Sequence, residues 1–139
     1  MAGQMTLERL YKNFEVLDNW EDRYRFIIEM GRKIPQLSDD QKVEENRVYG
    51  CTSTVFMVVN KKEGAIDFAA NSDAAIVNGL IAILLIAFSE KSAEEINSID
   101  IKAIFDKLGL ERHLTPNRRN GFFAMVERLK KEAIKLSAA

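Results

Sequence analysis

Cys51 is the only thiol in the chain. A lone cysteine cannot close an internal disulfide, so any sulfur chemistry it performs is shared with another molecule. It stands in the stretch Asn46-Arg47-Val48-Tyr49-Gly50-Cys51-Thr52-Ser53-Thr54-Val55-Phe56, between a polar segment and a run of strand-forming residues. Free cysteine is among the most buried residue types and often acts as a small hydrophobe, so pattern alone supports an inert thiol as well as a reactive one. Two features favour a reachable thiol at a loop-to-strand junction: Gly50 frees the backbone, and three hydroxyl residues follow. A metal cage needs several Cys, His or carboxylate ligands at short fixed spacing, and an iron-sulfur cluster usually takes four thiolates. One cysteine and one histidine, His113, meet neither requirement. A papain-like pair of Cys51 with His113 as base is arithmetically open, but nothing in the sequence brings the two together, and His113 reads as a surface or capping residue. The glycines show no phosphate-cradling spacing.

The elements that must position Cys51 follow from periodicity. Leu7, Leu10, Tyr11, Phe14 and Leu17 share one face of a first helix. Asn19 caps a second helix from 20 to about 34, with Trp20, Tyr24, Ile27, Ile28 and Gly31 on its apolar face and Pro35 ending it, and the two helices are expected to pack as a hairpin. Residues 36–47 have no clear period and read as an exposed loop. Strands are expected over 54–59 and 65–70 with a turn at 60–64, Ile66 and Phe68 facing away from Asp67, and Val48 and Tyr49 adding a further strand.

The apolar run over 76–88 is too short for a membrane span, which needs roughly 20 residues, so it reads as a buried central helix. Ser72 would cap it and Asp73 would favour its positive end. Ser92-Ala93-Glu94-Glu95 is a capping box opening a short helix to about Asn97. Ile101, Ile104, Phe105 and Leu108 mark another before Gly109. Thr115-Pro116 opens the last, whose face is Phe122, Met125, Val126, Leu129, Ala133 and Leu136. Arg118 and Arg119 fall in its first turn, where positive charge is unfavourable by roughly 0.3–1 kcal/mol. A compensating anion is expected, either Asp73 within the fold or a carboxylate on a partner.

These elements describe one α+β domain over residues 1–139, a small antiparallel sheet covered on one face by helices. Twenty basic against twenty-one acidic residues leave a net charge of -1, which gives no broad footprint for nucleic acid or an acidic membrane surface. The first residues lack the layout of a secretory or transit signal, and the expected location is the cytoplasm.

The segment Gly50-Cys51-Thr52-Ser53-Thr54-Val55-Phe56 resembles the Gly-Cys-x-Ser-x-Val-aromatic signature of the SufE family, sulfur acceptors for cysteine desulfurases in iron-sulfur cluster assembly. Asn19-Trp20-Glu21-Asp22-Arg23-Tyr24 with Ile27-Ile28-Glu29-Met30-Gly31 is similar to the family's N-terminal helix. Ser72-Asp73-Ala74-Ala75-Ile76-Val77-Asn78-Gly79-Leu80 is similar to its central helix, and Leu114-Thr115-Pro116-Asn117-Arg118 with Gly121 to its last helix start. The blocks stand in family order over nearly the whole chain. Thr52 and Thr54 stand where the family often has glutamine, and Phe56 where tryptophan is frequent, so the residues beside the thiol that a desulfurase would touch differ from the commonest form.

The resemblance implies a SufE-like fold and a carrier role. Cys51 would take persulfide sulfur from a cysteine desulfurase of the SufS or CsdA type, stimulate that enzyme, and pass the sulfur to a SufBCD-type scaffold complex. The SufE and CsdE branches both remain open, as does a homodimer. No cofactor of its own is implied, since pyridoxal phosphate belongs to the desulfurase, and the protein would be a sulfur-transfer partner rather than an independent enzyme. Asp73 and Arg118 match positions in the family's second and third motifs, with Arg119 beside them, and would bind the partner or support the loop. A thiol with a pKa near 8.5 is only slightly ionised at neutral pH, so activation on docking is expected. The absence of a second thiol suits a carrier, because a resolving cysteine would discharge the persulfide as a disulfide. The rival from another class is a stand-alone thiol enzyme, a cysteine hydrolase or peroxide-reducing protein, using Cys51 with His113 or Arg118. A third reading is a binding module with an inert Cys51.

Overall fold

The computed structural model describes residues 6–50 and 53–138, with only the backbone of Ala138; Cys51 and Thr52 lie outside the described residues. Helices α1 (Leu7–Val16) and α2 (Trp20–Gly31) are followed by two single 3-10 turns, Asp39–Gln41 and Glu44–Asn46. Strands β1 (Val55–Lys62) and β2 (Ala65–Ser72) form a two-stranded antiparallel sheet. Five helices complete the chain: α3 (Ala75–Phe88), α4 (Ala93–Ser98), α5 (Ile101–Lys107), α6 (Leu110–His113) and α7 (Pro116–Ala138).

The expected caps form. The Asn19 side chain accepts from the Asp22 N–H at 2.9 Å, Ser92 and Glu95 bond reciprocally, and the Thr115 hydroxyl accepts from the Arg118 N–H at 3.3 Å. Helix α2 ends at Gly31, three residues short of the expected Ile34, with Arg32 as its C-cap, and Pro35 disfavours helical backbone at Ile34 ahead of it. The short helix α6 carries no separate sequence signal, being a single turn between Gly109, at φ +73°, and Leu114.

α1 and α2 meet through the edge-on rings of Phe14 and Phe26 and through Arg23, whose guanidinium donates to the carbonyls of Phe14 and Leu17 at the end of α1. The closest packing of α2 is instead against α3. There Gly31 lies against Gly79, and a Cβ on Gly31 would fall 2.7 Å from the Asn78 carbonyl carbon. The glycines let two backbones touch where any side chain would hold them apart.

The hairpin is longer and its turn tighter than expected. The ladder runs from Val55 opposite Ser72 to Lys62 opposite Ala65, and only Glu63 and Gly64 turn, at φ +51° and +82°. Two successive positive φ values match the twist of the flanking strands. The exposed Asn60, Lys61 and Lys62 hide this extension from a hydrophobicity reading. Val55, Met57, Ile66, Phe68 and Ala70 are buried, with α3 packed on β2 and α7 on β1, while Asp67 faces out. Among the described residues, the expected third strand reduces to one bridge, Arg47 opposite Phe56, with the Val48 N–H bonded to the Val55 carbonyl at 2.9 Å.

Helix α3 is buried along most of its length, from Ile76 to Phe88. Its cap differs from expectation: β2 runs on through Ser72, so Ala74 takes the N-cap position without a side-chain cap. The Asn78 amide reaches back to bond both the N–H and the carbonyl of Ser72, at 2.7 and 3.0 Å, and the Ser72 hydroxyl accepts from the Ala74 N–H. The polar residue inside the apolar run thus ties strand to helix. Among the described residues, no helix is long and apolar enough to cross a membrane.

Candidate functional site

The cysteine segment is held at both shoulders. On its N-terminal side, the Arg128 guanidinium on α7 donates to the carbonyls of Glu45 and Arg47, at 2.7 and 2.9 Å, and pairs with Glu132 at 3.4 Å. These are charge-assisted bonds to backbone groups that no helix or strand satisfies. Val48 is buried against the core, and its N–H joins it to β1. Gly50 has φ +108° and lies so close to α7 that a Cβ would stand 2.9 Å from the Ala124 side chain. A left-handed backbone and close approach together require glycine immediately before the cysteine.

On the C-terminal side Asp73 grips Thr54. Its carboxylate accepts the Thr54 N–H at 3.2 Å and the Ser72 hydroxyl at 3.4 Å, while its own N–H donates to the Thr54 carbonyl at 3.4 Å. Asp73 stands just ahead of the Ala74 N-cap of α3, and its carboxylate bonds to Thr54 of the cysteine segment. Thr54 is thereby held beside the start of α3 and Gly50 against α7, while Cys51 and Thr52, which separate them in the sequence together with Ser53, lie outside the described residues.

Asn71 fixes the preceding loop. Its amide accepts from the Leu37 N–H and donates to the Pro35 carbonyl at 3.0 Å, fastening residues 35–37 to β2. Tyr49 is 61 % exposed, with the Arg47 guanidinium 5.0 Å from its ring centre. Its hydroxyl donates to the Glu44 carboxylate, and this bond holds the phenol protonated above its ordinary range.

Arg118 and Arg119 diverge. The Arg119 guanidinium donates to the Glu111 carbonyl at 2.9 Å, closing the end of α6 onto α7. Arg118 is partly buried, and its Nη1 is buried with no hydrogen-bond partner among the described residues. No ion pair joins it to Asp73 among those residues. His113 is exposed and stacks on Trp20, ring centres 4.4 Å apart and nearly parallel. No cluster of three or more His, Cys, Asp or Glu suited to a metal ion occurs among the described residues.

Arg128 and Asn71 were not visible as site residues in the sequence. Arg128 sits eighty-one positions from the Arg47 carbonyl it holds, and a bond to a backbone oxygen leaves no complementary residue to notice. Replacing it with methionine, which keeps the aliphatic stem and removes the donors, is expected to cost about 1–2 kcal/mol. Amide exchange over residues 45–50 should quicken more than in the β-hairpin. Uniform exchange rates across both segments would contradict the clamp.

The site is thus a thiol-bearing segment carried by an α+β scaffold, its two shoulders fixed to different elements. The model of the SufE family, described as an Fe-S metabolism associated domain, matches residues 8–133. An uncharacterized SufE-like protein of Rhizobium meliloti is 44 % identical over 132 residues, covering 92 % of this chain and 94 % of its own. Another, of Rhizobium etli, is 41 % identical over 138 residues, covering 96 % and 93 %. The solution structure of a hypothetical protein from Thermus thermophilus superposes with a TM-score of 0.78, over 97 % of this chain and all of that one, at 22 % identity. That likeness establishes the fold alone. The chain belongs to the SufE family, which places it in iron-sulfur metabolism.

Proposed function

We propose that this protein is a cytoplasmic persulfide carrier that accepts sulfur from a cysteine desulfurase and passes it to an iron-sulfur scaffold. The observation that carries the reading is that the residues on both sides of the chain's single thiol in the sequence are anchored, in a member of this family.

In the loading step Cys51 loses its proton to solvent or to a base on the docked partner, and its thiolate attacks the outer sulfur of the desulfurase persulfide. A new sulfur-sulfur bond forms on Cys51, the donor's bond breaks, and the desulfurase leaves as its cysteine thiolate. Delivery is the same exchange in reverse sense: a thiolate on the scaffold attacks the outer sulfur, and Cys51 departs as thiolate. Neither exchange needs an external oxidant or reductant. Gly50 and Asp73 hold the approach geometry, and pyridoxal phosphate acts only in the desulfurase.

Arg118 serves the docked state. Arg118 is only half-buried and one of its guanidinium nitrogens has no partner among the described residues, so the complex would supply the missing anion as a carboxylate of the desulfurase. The test is to titrate this protein into the host's cysteine desulfurase turning over free cysteine. Turnover should rise and saturate. Arg118→Glu should raise the half-saturating concentration about tenfold, with melting unchanged or slightly raised, since a carboxylate suits a helix first turn. Desulfurase turnover unaffected by any amount of the wild type would sink the activator role. A lowered melting temperature with unchanged half-saturation would assign Arg118 to the fold instead.

A further inference from the structure

Beside the cysteine segment an open groove of about 810 Å³ runs between residues 47–49 and the outer face of α7. Asn97 and Ile134 line it and also line a second groove of about 790 Å³ that reaches the hairpin turn at Gly64. The two form one channel that follows α7 from Ala124 to Ser137, roughly 20 Å at 1.5 Å per residue. An extended peptide of about six residues would fill it.

Val48, Ala124, Ile66 and Ile134 provide an apolar floor, and Ile134 is 55 % exposed although it lies on a packed helix. Arg47, Lys61, Arg128, Lys130 and Lys131 line the walls against Glu94 and Glu127, an excess of three positive charges on a chain whose net charge is -1. The Arg47 Nε is buried with no partner among the described residues. Net acidity of the whole molecule argues against a polyanion such as nucleic acid, which would meet repulsion beyond the groove. An acidic peptide segment with one or two apolar side chains matches both floor and walls.

We propose that this channel docks an acidic segment of the scaffold protein that receives sulfur from Cys51. The proposal rests on the carrier reading. A carrier meets two proteins in turn at one thiol, and its two shoulders face different elements. Asp73 holds the shoulder at the start of α3, and the channel begins at the other, beside Tyr49 and Ala124. A recipient seated along α7 would reach the thiol from its own side and would let the donor leave before delivery ends.

The double substitution Lys61→Glu with Lys131→Glu tests this, because both side chains are exposed and neither holds the cysteine segment. Loading of Cys51 by the host's desulfurase and delivery to the host's SufBCD-type scaffold complex are timed separately by mass spectrometry. The expected result is unchanged loading and delivery slowed about tenfold, with the gap narrowing as salt screens the charges. Equal delivery by both proteins would overturn the proposal. Slowed loading with normal delivery would give the channel to the donor and also overturn it. Binding of anionic phospholipid vesicles by the wild type alone, with delivery unchanged, would assign it to a membrane surface and reject the scaffold. Wild-type protein that never gains sulfur would instead contradict the carrier reading on which the proposal stands.

Discussion

Cys51→Ser is expected to abolish sulfur acceptance completely while leaving the fold intact. The chain has no other thiol to substitute, and a hydroxyl neither ionises near neutral pH nor forms a stable bond to sulfane sulfur. The shoulders on either side are held by backbone contacts that do not involve the thiol: the Arg128 bonds, the Gly50 contact with Ala124, and the grip of Asp73 on Thr54. Because none of these anchors is altered, stability should move by no more than about 0.5 kcal/mol. A buried, inert cysteine predicts the opposite pattern, in which serine costs stability and sulfur transfer is untouched. Thermal melting and persulfide loading of the two proteins, measured side by side, separate these outcomes.

The largest effect on stability is expected at the α2–α3 crossing. In Gly79→Ala the new Cβ would meet the α2 backbone, 2.8 Å from the Ile27 carbonyl carbon, and no side-chain rotation relieves a clash with backbone. The helices must separate, and α3 is the most buried element of the core, so the strain spreads to everything packed on it. A loss of about 3 kcal/mol is expected, near the upper end for overpacked cores, which lowers the melting temperature by roughly 10 °C. Gly64→Ala is the control: it sits at φ +82° with open space around it and carries only the conformational penalty of its turn, roughly 1 kcal/mol. Equal losses at the two positions, read by denaturant unfolding, would refute the close crossing.

Much of this architecture was legible because local chemistry and tertiary environment agree. Asn19, Ser92 and Thr115 cap the helices they precede, and the faces containing Ile27, Ile104 and Leu129 are the buried ones. The reading failed where long-range bonds override local pattern. Val48 and Tyr49 look like a strand, but Gly50 turns the chain onto α7 after a single bridge. Ser72 looks like a cap but is claimed by the ladder with β1 and by the Asn78 amide. The loop over 36–47 looks featureless, yet two 3-10 turns, Asn71 and Arg128 fix it, the latter two through backbone partners that no spacing rule reveals. For the site, the sequence singled out Cys51, Asp73 and the paired arginines. The structure gives Asp73 and Arg119 backbone partners that account for them locally, and among the described residues leaves Arg118 with a buried nitrogen unmatched.

Intact-mass spectrometry of this protein after incubation with the host's cysteine desulfurase and free cysteine tests persulfide carriage most directly. The expected result is added sulfur that a reductant removes, located by peptide mapping at Cys51 and missing from Cys51→Ser. An unchanged mass, with the desulfurase shown to be turning over, would contradict it.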